Sequence, residues 1–263
     1  KCGHARGVAL QKRARQLELP IASGVRGRPA TELDLQPGTR IEGGYRVIAT
    51  IGQGAMGIVA SAHDERLDRR VAIKFVRPAL LSPSFRERFQ AEARAMARVN
   101  HPHVLHIYAS GEHEGVPFFV MELVRGSTLE GWLEATPLPA RLIEGLRILE
   151  ETCLGVHAIH EAGTVHRDIK PSNILLDEAL HPRIADLGLA VLHRGNPDAG
   201  AEIVGTPAYM APEAAAPRKL DPELRPRADV YSLACIAYEI LTGARPFRAK
   251  TSAELLERHA AEA

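Results

Sequence analysis

The chain has 263 residues, 45% hydrophobic and 25% charged, with a formal net charge of +1. That is an ordinary globular composition, enough for one large domain or two lobes, and it excludes general disorder. A charge so near zero gives no overall field to draw in nucleic acid or a membrane surface, and no apolar run reaches the ~18 residues that cross a bilayer.

The first thirty residues carry Lys1, Arg6, Lys12, Arg13, Arg15, Arg26 and Arg28 against Glu18 alone, without a sustained period. Residues 1–40 therefore read as a basic, flexible linker, with a nucleic-acid-binding tail as the sharper alternative. Charges stand where a signal peptide would have its apolar core, which predicts a cytoplasmic chain. The absence of an initiating Met suggests a piece of something longer. Cys2, Cys153 and Cys235 form no C-x-x-C pair. The last two lie in helical apolar patterns and are expected to be reduced core thiols, while Cys2 and His4 are too few to hold zinc.

From Tyr45 the pattern tightens. "YRVIATIG" reads as a strand entering "GQGAMGIVASA", where Gly52, Gly54 and Gly57 interrupt two β-type runs. Such a hairpin is either a tight turn or a glycine-rich cover that brings backbone N–H groups close to an anion. "RRVAIKF" is a further strand carrying Lys74, an ammonium within reach of phosphate oxygens or simply a strand-end lysine. In "SPSFRERFQAEARAMARVNHP", Ser84 and Glu87 have the spacing of a capping box, and Phe85, Phe89, Ala93, Met96 and Ala97 share a helical face. Glu92 falls beside that face, with Lys74 as the candidate cation.

"GVPFFVMELV" predicts a buried strand ending at Glu122, and "RGSTLEGWL" a turn and a short helix. A longer helix is expected over about residues 139–162, with Leu142, Leu146, Leu149, Cys153, Val156 and His160 near helical spacing. "DVYSLACIAYEILTG" reads as a buried helix stopped by Gly243.

Between these helices lies "VHRDIKPSNILLD". Phosphoryl transfer to a hydroxyl needs a base or positioning group, a cation beside the moving phosphoryl, and hard oxygen ligands for magnesium. Asp168, Lys170 and Asn173 can fill these roles in order, and Asp186 in "ADLG" can supply a second metal ligand. Five fixed residues in H-R-D-x-K-x-x-N recur by chance in roughly one chain in ten thousand.

With "GQGAMGIV", "VAIK", Glu92, "HRDIKPSN", "DLG", "GTPAYMAPE" and Asp229 in this order, residues 41–263 resemble a eukaryotic-like protein kinase of the bacterial serine/threonine branch. The resemblance implies an α+β, two-lobed fold. A small antiparallel β lobe with one helix would span about residues 41–121, a hinge 122–124, and a larger, mainly helical lobe the rest. It also implies ATP as donor, Mg²⁺, and Ser or Thr hydroxyls of proteins as acceptors.

Residue by residue, Ile51, Gly52, Gly54 and Gly57 would cover the nucleotide, and Val59, Ala72 and Leu175 would sandwich its base. Lys74 would hold the phosphates and pair with Glu92. Met121 matches the gatekeeper, and Glu122 to Val124 the hinge. Asp168 would take or orient the hydroxyl proton, Lys170 would stabilise the moving phosphoryl, Asn173 and Asp186 would bind magnesium, and Thr206 would bond Asp168.

Three departures from the family pattern stand out. Leu187 replaces the usual Phe and is expected to stack near Met96 and His166. Arg167 normally signals a phosphorylated activation loop, yet residues 187–205 contain no Ser, Thr or Tyr, so either Asp198 or Glu202 partly balances it or the loop is ordered by contacts alone, with two solvated loop acids as the plainer alternative. The domain of the family continues beyond "AELLERHAAEA" with helices carrying an arginine for the Glu at position 213. A transmembrane helix and sensor often follow such domains, and small-lobe dimers are typical of the branch. The rival readings are a pseudokinase scaffold that binds ATP without turnover and a small-molecule phosphotransferase of the aminoglycoside type.

Overall fold

The computed structural model describes residues 33–54, 57–77, 81–186, 207–215 and 225–261, apart from the side chains of Ser84, Phe85, Arg88, Glu92 and Ala215. Leu187, Asp198, Glu202, Thr206 and residues 1–32 lie outside it.

The smaller lobe is a six-stranded sheet of β1 (Arg40–Ile41), β2 (Tyr45–Gln53), β3 (Gly57–Asp64), β4 (Arg69–Val76), β5 (Ile107–His113) and β6 (Val116–Met121). Its order is β1-β2-β3-β4-β6-β5, and every neighbouring pair is antiparallel. Strand β4 is buried on both faces. Val71, Ile73 and Phe75 point into a core with Val47, Ala62, Phe118 and Val120, while Ala72 joins the core shared with the larger lobe. Gly57 is demanded by this packing, because a Cβ there would lie 2.0 Å from the Phe75 carbonyl oxygen. The packed chain reaches back beyond residue 40: Leu35 is buried in the sheet's core, and Gly38 N–H donates to Val47 O at 2.8 Å.

Helix α1 (Pro83–Met96) closes the sheet by stacking Phe89 on Phe119, ring centroids 3.8 Å apart. It starts at Pro83, so Ser84 lies in the first turn and the capping box expected at Ser84 and Glu87 does not mark the start. Proline at the first helical position lacks only an N–H that would have had no helical partner. Ala97 falls just past the last residue of the helix.

The larger lobe follows β7 (Gly126–Thr128), α2 (Leu129–Ala135), α3 (Leu142–Glu161), β8 (Ile174–Asp177), β9 (Pro182–Ile184), α4 (Pro212–Ala215), α5 (Arg225–Thr242) and α6 (Ser252–Ala261). Strands β7, β8 and β9 form a small antiparallel sheet. The pairing of "GST" with β8 was read from the sequence as a plain turn. Thr128 caps α2 by accepting from Gly131 N–H at 3.1 Å.

The buried face of α3 corrects the expected one. Leu146 and Cys153 are exposed, and Gly145, Ile148, Thr152, Gly155, Val156 and Ile159 are buried. Small residues let the helix approach its neighbours closely. A Cβ at Gly145 would lie 2.7 Å from Ile240 Cγ2, and one at Gly155 would lie 2.8 Å from the His103 carbonyl oxygen. A stripe read from large apolar side chains therefore sits one position off the true interface. Cys153 is not a core thiol; Cys235 is buried as expected.

Arg141, just before α3, is itself buried and binds the two helix ends next to it. Its guanidinium donates to Leu133 O at 3.0 Å, Glu239 O at 3.1 Å and Ile240 O at 3.3 Å. A cation at carbonyls left open by ending helices is favourable through both hydrogen bonding and the helix dipoles. Helix α5 ends at Thr242, followed by Gly243 with φ +80°, and Gly243 N–H donates to Glu239 O. No helix among the described residues is long and apolar enough to cross a membrane.

Candidate active site

The loop between α3 and β8 brings Asp168, Lys170 and Asn173 into direct contact. Lys170 Nζ donates to Asp168 Oδ2 at 2.8 Å, and Asn173 Nδ2 donates to Asp168 Oδ2 at 2.9 Å and to its main-chain oxygen at 2.8 Å. A single turn of 3₁₀ helix, Pro171–Asn173, makes this possible by folding Asn173 back over Asp168. Among the described residues no donor is directed at Asp168 Oδ1. Both Nδ2 hydrogens of Asn173 are committed, so its side-chain oxygen is the atom available to a cation.

The opposite wall comes from β4 and the segment after β9. Lys74, buried in the small lobe, donates from Nζ to Asp186 Oδ1 at 2.5 Å. Burial pushes the Asp186 carboxyl up, but the charge and hydrogen bond of Lys74, helped by His166 and Lys170, outweigh it and hold the group below the ordinary carboxylate value. Asp186 is therefore an ionised carboxylate, a hard-oxygen donor. Magnesium usually keeps several waters and substrate phosphates and takes only one or two carboxylates from the protein. Asp186 with the Asn173 oxygen fits that demand, and among the described residues no cluster of three or more His, Cys, Asp or Glu offers another metal site. The Glu92 side chain lies outside the described residues, as does Thr206, so their expected contacts do too.

Beneath the loop is an anchor whose role the sequence reading missed. Asp229, on α5 and fully buried, accepts from His166 N–H at 2.8 Å and Arg167 N–H at 2.7 Å. His160 Nε2 lies 2.8 Å from the same carboxylate and, facing an acceptor-only group, carries the proton. His166 donates from Nε2 to Ala185 O at 2.9 Å, which leaves Nδ1 to accept from Asp168 N–H at 3.2 Å. One imidazole thus ties Asp168 to the residue before Asp186. Arg167 and Asp186 both have left-handed backbones, φ +67° and +61°, a region that side-chain-bearing residues occupy at a cost. The bond from Arg167 N–H to the Asp229 carboxylate and that from Ala185 N–H to Asn173 O, 2.8 Å, hold them there. A lone carboxylate in an otherwise apolar helix, "DVYSLAC", was the signal available in the sequence.

The residues expected around the base also converge. Val59, Val124 and Leu175 pack against the buried cluster that includes Ala72, Met121 and Ala185. Glu122 begins the connection between lobes, its N–H donating to His106 O at 2.9 Å and its carboxylate lying 3.7 Å from Arg183 Nε. Gly54 N–H donates to Gly57 O at 2.9 Å, closing the glycine-rich turn, and Ile51 is exposed at its base.

This two-lobed arrangement defines a phosphotransferase fold, and the sequence signature of the protein kinase domain matches residues 45–263. The chain belongs to the protein kinase domain family. It is similar to the probable serine/threonine-protein kinase pknA2 of Bifidobacterium longum, 38% identical over 232 residues, which is 86% of this chain and 30% of that protein. It is also similar to serine/threonine-protein kinase PknA of Mycobacterium tuberculosis, 39% identical over 232 residues, covering 86% of this chain and 53% of that protein. The chain thus spans about half or less of the length of these relatives. Among solved structures it is similar to the M. tuberculosis PknI kinase domain, with a TM-score of 0.66, 30% identity, and coverage of 82% of this chain and 79% of that one. Use of ATP and Mg²⁺ is general in the family.

Proposed function

We propose that the chain transfers the γ-phosphoryl group of ATP to Ser or Thr hydroxyls of protein substrates. The observation that carries this reading is the Asp168, Lys170 and Asn173 cluster with one free carboxylate oxygen, facing the Lys74–Asp186 pair. Asp168 Oδ1 orients the acceptor hydroxyl and takes its proton as the new P–O bond forms and the bond from the γ-phosphorus to the β,γ-bridging oxygen breaks, ADP leaving with that oxygen. Lys170, already beside that carboxylate, lies where charge moves with the phosphoryl group. Lys74, now held by Asp186, would turn to the nucleotide phosphates, and Asp186 with the Asn173 side-chain oxygen would hold magnesium, which would supply positive charge beside the phosphate oxygens. Gly52, Gly54 and Gly57 cover the phosphates, Val59, Ala72 and Leu175 enclose the base, and Ile51, Met121, Glu122 and Val124 border the nucleotide. Glu92 and Thr206 complete the set as partners of Lys74 and Asp168.

Labelled γ-phosphate transfer from Mg-ATP to a generic basic protein tests the reading. Asp168→Asn should slow it by roughly 10² to 10⁴. A folded chain that binds Mg-ATP yet labels nothing would replace this reading with that of a nucleotide-binding scaffold.

A further inference from the structure

Strand register places four basic residues side by side across the small lobe. Arg40 on β1 is directly opposite Arg46 on β2, Arg46 is opposite His63 on β3, and His63 is opposite Arg70 on β4. Residues directly opposite in antiparallel strands share a face, so these four form one row. The next residues along the strands, Val47, Ala62 and Val71, point to the other face and are buried in its core. Like charges directly opposite in a sheet destabilise it, and the compensation here is incomplete. Glu65 lies 3.1 Å from Arg46 Nε and 3.9 Å from Arg40, and Asp68 lies 3.2 Å from His63. Arg70 is exposed and has no carboxylate partner among the described residues.

The row is not flat. Arg46, His63 and Arg70 line a cleft of about 330 Å³ with Pro37, Gly38, Val47 and Ile48, and no acidic residue lines it. Arg70 is four residues from Lys74 on the same strand, ~13 Å away at strand rise, so the cleft belongs to neither the phosphate nor the metal site.

We propose that this cleft binds a phosphoserine or phosphothreonine side chain of a protein segment. Two guanidinium groups and an imidazole around a small concave space match a compact dianion, to which arginine donates in pairs. A nucleic-acid strand fits poorly, because the lining has no aromatic stacking platform. The proposal rests on the proposed transfer reaction, whose product is this same group; the cleft is then a place where phosphorylated substrate, or a phosphorylated copy of the kinase, is retained.

The test is fluorescence anisotropy of the whole chain, without ATP, against a peptide library with one fixed phosphothreonine among mixed neutral residues, its unphosphorylated twin, and inorganic phosphate. The phosphorylated library should bind at least about tenfold more tightly than its twin, and Arg70→Gln should remove most of that preference. Arg70→Gln breaks no ion pair with a described residue, and it should melt at or above the wild-type temperature while transfer to a basic protein stays unchanged. Equal binding of both libraries, a preference that survives Arg70→Gln, or displacement by inorganic phosphate at the same concentration as peptide would overturn the proposal. Binding that holds in a chain unable to transfer phosphate would sink the proposed reaction and leave the cleft assignment standing.

Discussion

Asp229→Asn isolates the anchor under the active-site loop. The amide keeps one oxygen, enough for Arg167 N–H, and puts an NH₂ where Oδ2 accepted from His166 N–H and faced His160 Nε2. A buried main-chain donor then meets another donor, and the charge that strengthened the remaining bonds is gone. Leaving a buried donor unsatisfied costs about 1–3 kcal/mol, and each lost hydrogen bond to a charged group about 1.5–3. Since His160 can change tautomer to accept from the amide, we expect a loss of roughly 3–5 kcal/mol, which in a chain of this size lowers Tm by on the order of 10 °C. The second effect is on geometry. Arg167 loses part of what holds its left-handed backbone, and Asp168 follows it. Displacement of a reacting group by ~1 Å can reduce rate about 10²-fold. Calorimetry and phosphotransfer at a temperature where the variant is folded separate the two effects, and the KM for ATP should change little because the nucleotide residues do not touch Asp229. A variant that melts within 2 °C of wild type (roughly the shift from 1 kcal/mol) and keeps its kcat would refute the anchoring role.

Lys74→Met should abolish transfer, and its effect on stability should depend on pH. Asp186 has a depressed folded-state value, so the pair stabilises the protein above the unfolded carboxyl value of about 4 and loses that contribution as pH falls through the folded one. Urea titrations should show wild type and variant differing at pH 7 and converging as the pH falls below about 4; a constant gap would mean that the pair contributes nothing. Gly155→Ala should destabilise by about 1–3 kcal/mol, because the new methyl would meet Ile184 and the fixed His103 carbonyl. Cys153→Ala, on the exposed side of the same helix, should stay within about 0.5 kcal/mol; matching thermal melts for the two would contradict the face assigned to α3. Arg141→Met should cost about 3 kcal/mol by taking this donor from the Leu133 and Ile240 carbonyls, while Glu239 O keeps the Gly243 N–H, seen as an earlier urea midpoint.

The sequence showed best where chemistry dictates residue type at fixed spacing. Asp168, Lys170 and Asn173 lie within six residues, so their contacts are local and their spacing is itself the evidence. Strands β2, β3 and β4 were legible from alternation and glycine punctuation. The faces of α3 were not, because close approach is made by Gly145, Thr152 and Gly155, which leave no hydrophobic signal, while Leu146 and Cys153 supply a misleading one. Asp229 acts on groups 62 to 69 positions away and Arg141 on two carbonyls 98 and 99 positions away, and no local period reports such partners. The basic row in the small lobe is spread over residues 40–70 and becomes a row only once the strand register is known.

These differences in legibility follow the division of labour in the site. Asp168, Lys170 and Asn173 are held entirely by the larger lobe, through Asp229 and His166, and a rigid-body movement of the small lobe leaves their bonds intact. The Lys74–Asp186 bond crosses between lobes, from β4 to the segment after β9, and any such movement stretches it. Asp186 is also one residue from Ala185, which His166 and Asn173 hold. Opening the cleft therefore moves Lys74 against a fixed Asp186, so the acceptor side of the site is preassembled and the donor side depends on lobe closure. A phosphorylated segment bound beside Arg70 would sit on the small lobe, on the same strand as Lys74, where its binding can bias that closure without touching the Asp168 loop.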